Sequence, residues 1–174
     1  MNKPRAFLGM VATVAAMYVA LCAYAVADQD VEELLLCADS GGLKIPFSKT
    51  VCRNYLFASR GTREDIELLH RGVGAFFVVQ GESSEAEREE VLRFLVGKGL
   101  DVNRIDMHGL TPLHGAVLGN VPSEVSMLLR SGGNPRLKDR KFGLTPLELA
   151  VKLEREGSVP GGRQEVIALL KRER

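Results

Sequence analysis

Three histidines, His70, His108 and His114, and three cysteines, Cys22, Cys37 and Cys52, are the side chains here best suited to hold a metal or to act as base or nucleophile. Their spacing supports neither role. The histidines lack metal-ligand spacing, no Cys or Asp can be set beside them from sequence alone, and no Cys-x-x-Cys pair exists for zinc or redox work. Gly72-Val73-Gly74 and Gly97-Lys98-Gly99 read as helix-end or loop glycines, because neither is followed by the pattern that a phosphate cradle needs. No Gly-x-Ser-x-Gly elbow occurs. His70 follows Leu68 and Leu69 and reads as a boundary residue rather than a base. The expectation is a protein with no catalytic residues, no metal, no cofactor and no small-molecule substrate.

The elements that carry these residues are set by a repeat. Residues 109–116 read Gly-Leu-Thr-Pro-Leu-His-Gly-Ala and residues 143–150 read Gly-Leu-Thr-Pro-Leu-Glu-Leu-Ala, one phrase used twice, 34 residues apart. Gly109 and Gly143 free the backbone for positive φ before each helix. Thr111 and Thr145 then serve as N-caps, and Pro112 and Pro146 occupy the first helical position, where a missing N–H costs nothing. Leu113, Ala116 and Val117, like Leu147, Ala150 and Val151, recur at helical spacing. Leu128–Asn134 match Leu95–Asp101 at an offset of 33, which extends the periodicity upstream. There a degenerate repeat is predicted, with a first helix over about 64–79 and a second over about 85–97. The final repeat is predicted to start its second helix late, at about 163, because residues 154–162 intervene.

This phrase and period resemble the ankyrin repeat, a β-turn followed by two antiparallel helices with a Thr-Pro-Leu-His-x-Ala signature. The resemblance implies an all-α fold, a short ankyrin-repeat solenoid of about three helix-turn-helix repeats with a helical N-terminal cap. The repeats would span about 64–100, 101–134 and 135–174. It also implies that His114 is a structural hydrogen-bonder to neighbouring turns, and that Asp106 and Asp139 are turn-stabilising residues bonding local N–H groups. A pair of such helices cannot bury its apolar face alone, so stacking builds the core and the ends need caps.

Ahead of the repeats, Lys3 and Arg5 precede an uncharged run of 22 residues, Ala6 to Ala27, ending in Ala25-Val26-Ala27. This matches a secretory signal cleaved after Ala27. The alternative is an uncleaved membrane anchor, since about 20 apolar residues span a bilayer. A lipid anchor on Cys22 is disfavoured by the bulk of Leu21. Cleavage would remove Cys22 and leave Cys37 and Cys52, an even pair that in an exported chain suggests a disulfide closing a loop of about 15 residues and contributing roughly 3 kcal/mol; two buried free thiols are the alternative. Residues 28–63 are predicted to form the cap, with one helix over 28–38 bearing Val31, Leu34, Leu35 and Leu36, ended by residues 39–42. A second, over about 47–59, bears Val51, Tyr55 and Leu56. The segment from Lys44 to Arg60 is otherwise ambiguous.

Without Lys3 and Arg5 the chain has 21 basic and 22 acidic residues, so no overall charge draws it to nucleic acid or anionic lipid. The charges are uneven. Glu82, Glu85, Glu87, Glu89 and Glu90 cluster at one helix start, where acidic groups favour the macrodipole. Arg130, Arg136, Lys138, Arg140 and Lys141 crowd a later turn, in which Phe142 is an insertion: Asp106-Met107-His108-Gly109 is answered by Asp139-Arg140-Lys141-Phe142-Gly143. An aromatic among cations is the composition of an interface anchor, although a solvated tip would look the same. By resemblance, the projecting turns and the concave helical face contact a protein partner. The candidate residues are Arg104, Met107, His108, Arg136, Lys138, Arg140, Lys141 and Phe142.

The functional expectation is thus a non-catalytic interaction module binding one specific protein, a toxin or effector or a periplasmic enzyme. By resemblance to small exported bacterial ankyrin proteins, it is an immunity protein acting in the periplasm, an accessory protein to an oxidative-defence enzyme, or a membrane-tethered scaffold facing the periplasm.

Overall fold

A computed structural model of the chain describes residues 3–41, 47–72, 74–157 and 162–173. Two compact units divide the chain, Met1–Arg60 and Gly61–Arg174.

The first unit holds α1 (Lys3–Ala27), α2 (Val31–Ser40) and α3 (Ser48–Ser59). Over Met10–Ala27 the mean hydropathy of α1 is 2.0, long and apolar enough to cross a membrane. Met10, Met17 and Tyr24 are exposed on it, while Cys22 and Val26 are buried. The next helix starts at Val31 rather than at 28, because the Asp30 carboxylate accepts from the Glu33 amide at 2.8 Å and caps it. It runs through Asp39 and Ser40 to Gly41, whose left-handed φ of 75° lets its N–H close on the Cys37 carbonyl. Helices α2 and α3 pack together and are joined by the Cys37–Cys52 disulfide, with Cα atoms 5.8 Å apart. Around it Val31, Leu34, Leu35, Ala38 and Leu56 are buried. Leu36, expected among the apolar set, is instead exposed. Helix α3 keeps close to its predicted bounds, and the start of the ambiguous segment, Lys44 to Pro46, lies outside the described residues.

The second unit is built of α4 (Arg63–Arg71), α5 (Ala75–Val79), α6 (Glu85–Gly97), α7 (Pro112–Gly119), α8 (Pro122–Arg130), α9 (Pro146–Arg155) and α10 (Gln164–Arg172). The pairs α5/α6, α7/α8 and α9/α10 are antiparallel hairpins of the repeat kind, and α5, α7 and α9 stack side by side. The described residues are helical and contain no strand, so the expected all-α repeat architecture holds. The core is a file of side chains from successive repeats, with Leu69, Val79, Leu92, Leu95, Leu113, Val117, Met127, Leu128, Leu149 and Leu170 almost fully buried. Helix α7 lies between two neighbours, and all residues from Pro112 to Val117 are buried.

The offset of 33 is visible in the backbone. Leu100 N–H donates to Leu95 C=O at 3.0 Å and Gly133 N–H to Leu128 C=O at 2.8 Å, while Gly99 and Gly132 take φ of 107° and 93°. Both turns leave their helix with the same left-handed step. A Cβ on Gly133 would stand 2.8 Å from the Leu128 carbonyl oxygen, a backbone atom fixed by that same bond. Gly133→Ala is therefore expected to cost about 1–2 kcal/mol, read as a lower urea midpoint with unchanged m-value.

In this unit one helix departs from expectation. The predicted first helix over 64–79 is two, α4 and α5, because Gly72 ends α4 in a non-helical conformation (φ −84°, ψ −134°) and Gly74, at φ 58°, starts α5; Val73 lies outside the described residues. The late second helix of the last repeat is found as predicted, at Gln164, and residues 158–161 before it lie outside the described residues.

Candidate partner-binding site

The two turns that precede α7 and α9 are assembled from the backbone outward. Asp106 N–H donates to Leu110 C=O at 2.8 Å, and Asp139 N–H to Leu144 C=O at 3.0 Å, so the second turn closes over one more residue than the first. That residue is Phe142. The Asp106 carboxylate accepts from the His108 and Leu110 amides, both at 2.8 Å. The Asp139 carboxylate, nearly fully buried, accepts from the Phe142 and Gly143 amides. Both aspartates thus direct their charge at local N–H groups, as the resemblance implied. Arg140 N–H donates to Gly109 C=O at 2.7 Å and fixes the two tips side by side.

His114 sits beneath the tips with no exposure. Its Nε2 is 2.9 Å from the Leu144 carbonyl, which can only accept, so Nε2 carries the proton. Its Nδ1, 2.7 Å from the Thr111 hydroxyl, then accepts from it. One imidazole therefore ties the cap of α7 to the turn before α9. Burial lowers its pKa, against the raising influence of the Leu144 carbonyl and of Asp139, whose Oδ2 lies 3.4 Å from Nε2. His114 is a neutral structural hydrogen-bonder. His70 plays a similar role at the preceding turn: its Nε2 accepts from the Asp101 amide at 2.9 Å, where the next turn uses the Asn103 side-chain oxygen to accept from Asn134 N–H at 2.7 Å. Burial, then the Arg104 charge, lowers the His70 pKa.

These depressed values fix a sign. The unfolded chain takes up protons at both histidines near their ordinary value of about 6.5, before the folded protein does. Stability is full above that pH and falls as pH drops through it, levelling once the folded histidines are protonated. Urea midpoints measured from pH 7.5 to 5 should fall accordingly, and the slope should be smaller in His70→Gln.

All eight predicted tip residues are exposed, Met107 and Phe142 at 72% and 40%. The Lys141 ammonium lies 5.3 Å from the centre of the Phe142 ring. Arg130, grouped with the tip cations by sequence, belongs elsewhere. It reaches from α8 to Glu85 and Glu89 of α6, each at 2.9 Å, and those acids raise its pKa while Arg130 lowers that of Glu89. The acidic cluster therefore serves in some measure as an inter-repeat contact, while Glu87 closes a capping box with Ser84. Among the described residues no group of three or more His, Cys, Asp or Glu is placed to hold a metal.

Sequence reasoning missed three polar groups that hold the stack, Arg163 and Glu124 buried and Arg88 half-buried. Arg163, 4% exposed, sends its guanidinium to the Val117 and Leu118 carbonyls at the end of α7, and its backbone N–H to Glu154. Burial lowers its pKa. Arg88 likewise caps the Val79 carbonyl at the end of α5, and stands 4.0 Å from Glu124, whose pKa burial raises. A cation near helical C-terminal carbonyls is favoured by the dipole. The available signal for Arg163 was an arginine at an N-cap position, where Ser, Thr or Asp is usual.

The ankyrin repeat family matches residues 108–140, from the first tip through α7 and α8 into the second tip. That span holds Gly109, the capping Thr111, Pro112, the buried His114 and the turn Asp139, each in the role just described. Residues 108–140 are therefore an ankyrin repeat, and hairpins of helices are stacked on either side of it.

Proposed function

We propose that this chain, a protein–protein interaction module by its fold, is a non-catalytic binder of one specific partner in the bacterial envelope, and that the partner sits on the turn tips. The observation that carries the reading is the Arg140–Gly109 backbone bond, which sets side by side two tips on which Phe142, Met107 and five cations are exposed. An apolar anchor within a charged rim is how tight single-target interfaces are built.

The apolar α1 and the Cys37–Cys52 disulfide support export to the periplasm, as a cleaved signal or as an anchor, since disulfides persist in oxidising compartments. We favour an immunity role, in which the tips occlude a toxin delivered into the periplasm. Support for an oxidative-defence enzyme is the second reading, and both rest on analogy at the level of the fold. The test is a deletion strain. Immunity predicts that it is killed by its own parent in mixed culture and is rescued by the full chain. Survival beside the parent, with loss of a periplasmic enzyme's activity, would select the accessory role. Mass spectrometry of the mature N-terminus, Asp28 against Met1, separates a cleaved signal from a tether.

A further inference from the structure

Between residues 101–109 and 134–144 the charged side chains fall into two groups. Asp101, Asp106 and Asp139 each direct a carboxylate oxygen at local amides: Asp101 accepts from Asn103 N–H at 2.8 Å, and the other two hold their turns as described. Arg104, Arg136, Lys138, Arg140 and Lys141 are all exposed, and among the described residues none of them makes an ion pair. Elsewhere in the repeats Arg63, Arg88, Arg93 and Arg130 have carboxylate partners. The tips thus keep their acids for themselves and present their cations outward.

From this, and resting on the tip reading above, we infer that the partner docks an acidic protein segment, with carboxylates facing the five cations and an apolar recess receiving Phe142. Complementary charge fixes register and speeds encounter, while the desolvated aromatic supplies the affinity. A nucleic-acid or anionic membrane surface fits less well. Outside those five residues the chain has four more acidic than basic residues, so the rest of it adds no net attraction for a broad polyanion. The large apolar side chains exposed at the tips are also a single Phe and a single Met, rather than an aromatic platform for bases.

The experiment places p-benzoylphenylalanine at position 142, at 107 and, as a control, at the exposed Glu165 of α10 in the full-length chain, with photo-crosslinking in the cells that make it. The expected result is one adduct from 142 and 107 but not from 165, mapping to a segment rich in Asp and Glu. It should fall at least tenfold with Arg136→Glu and Lys138→Glu together, and return when the mapped carboxylates are changed to lysine. Circular dichroism of the charge-reversed chain must be unchanged. A tip adduct that maps to a segment without carboxylates, or that survives charge reversal, overturns the acidic-partner inference and leaves the tip reading standing. A tip adduct to lipid or nucleic acid overturns both. Absence of any tip adduct, whether or not position 165 gives one, overturns the tip reading itself.

Discussion

His114→Ala is expected to lower the stability of the repeat unit by about 3 kcal/mol, a fall in Tm on the order of 10 °C or more. The side chain is wholly buried and fills space between α7 and the following turn. Removing it takes from the Leu144 carbonyl its second donor, beside Asp139 N–H, and leaves the Thr111 hydroxyl proton without its acceptor; an abandoned polar group in a dry site costs about 1–3 kcal/mol. Loss of the ring adds a cavity. His108→Ala, at the exposed tip, should change stability by no more than about 0.5 kcal/mol. Thermal melts of the two variants would separate them. Equal and small effects would contradict the role given to His114.

Phe142→Ala with Arg140→Glu is expected to weaken partner binding by at least about 2 kcal/mol, roughly 30-fold, while helical content and Tm stay as they are. The fold should not notice, because both residues serve the turn through their backbones. Phe142 N–H holds Asp139 and Arg140 N–H holds Gly109, bonds that the substitutions keep. What is lost is the exposed ring, its cation contact with Lys141 and one outward charge. Arg93→Glu, on the exposed face of α6 and paired with Glu89 on its own helix, is the matched control and should leave affinity within a factor of about two. Titration calorimetry against the mapped partner reads both. Loss of affinity in the control alone would move the interface to the second helices.

The features of this fold that were legible in the sequence are those whose cause is local. A glycine at positive φ, a threonine cap and a proline at the first helical position act within a few residues, so the starts of α7 and α9 could be read off the phrase. The extra residue before Gly143 was legible for the same reason, and it is where the second turn is longer. The split between α4 and α5 was missed because Leu68, Leu69, Phe76 and Phe77 keep apolar residues coming through the break. Only the conformations of Gly72 and Gly74 reveal it. Non-local partners were beyond reach. Arg130 lies next to the tip in sequence but pairs with Glu85 and Glu89, more than 40 residues away. Arg163 was read only as the start of a late helix and is the buried clasp on the end of α7. The tip residues themselves were legible as a composition, five cations, a Met, a His and an inserted Phe. That each neighbouring acid gives a carboxylate oxygen to local amides, while among the described residues the tip cations carry no ion pair, required the geometry.

If the turn tips, and no other face of the stack, are where the partner sits, amide hydrogen exchange of the chain with and without that partner will show it. Exchange should slow over 104–109 and 136–144 on binding, with the amides of α6, α8 and α10 unchanged. Protection confined to those three helices, with the tips exchanging as freely as before, would contradict a partner seated on the tips.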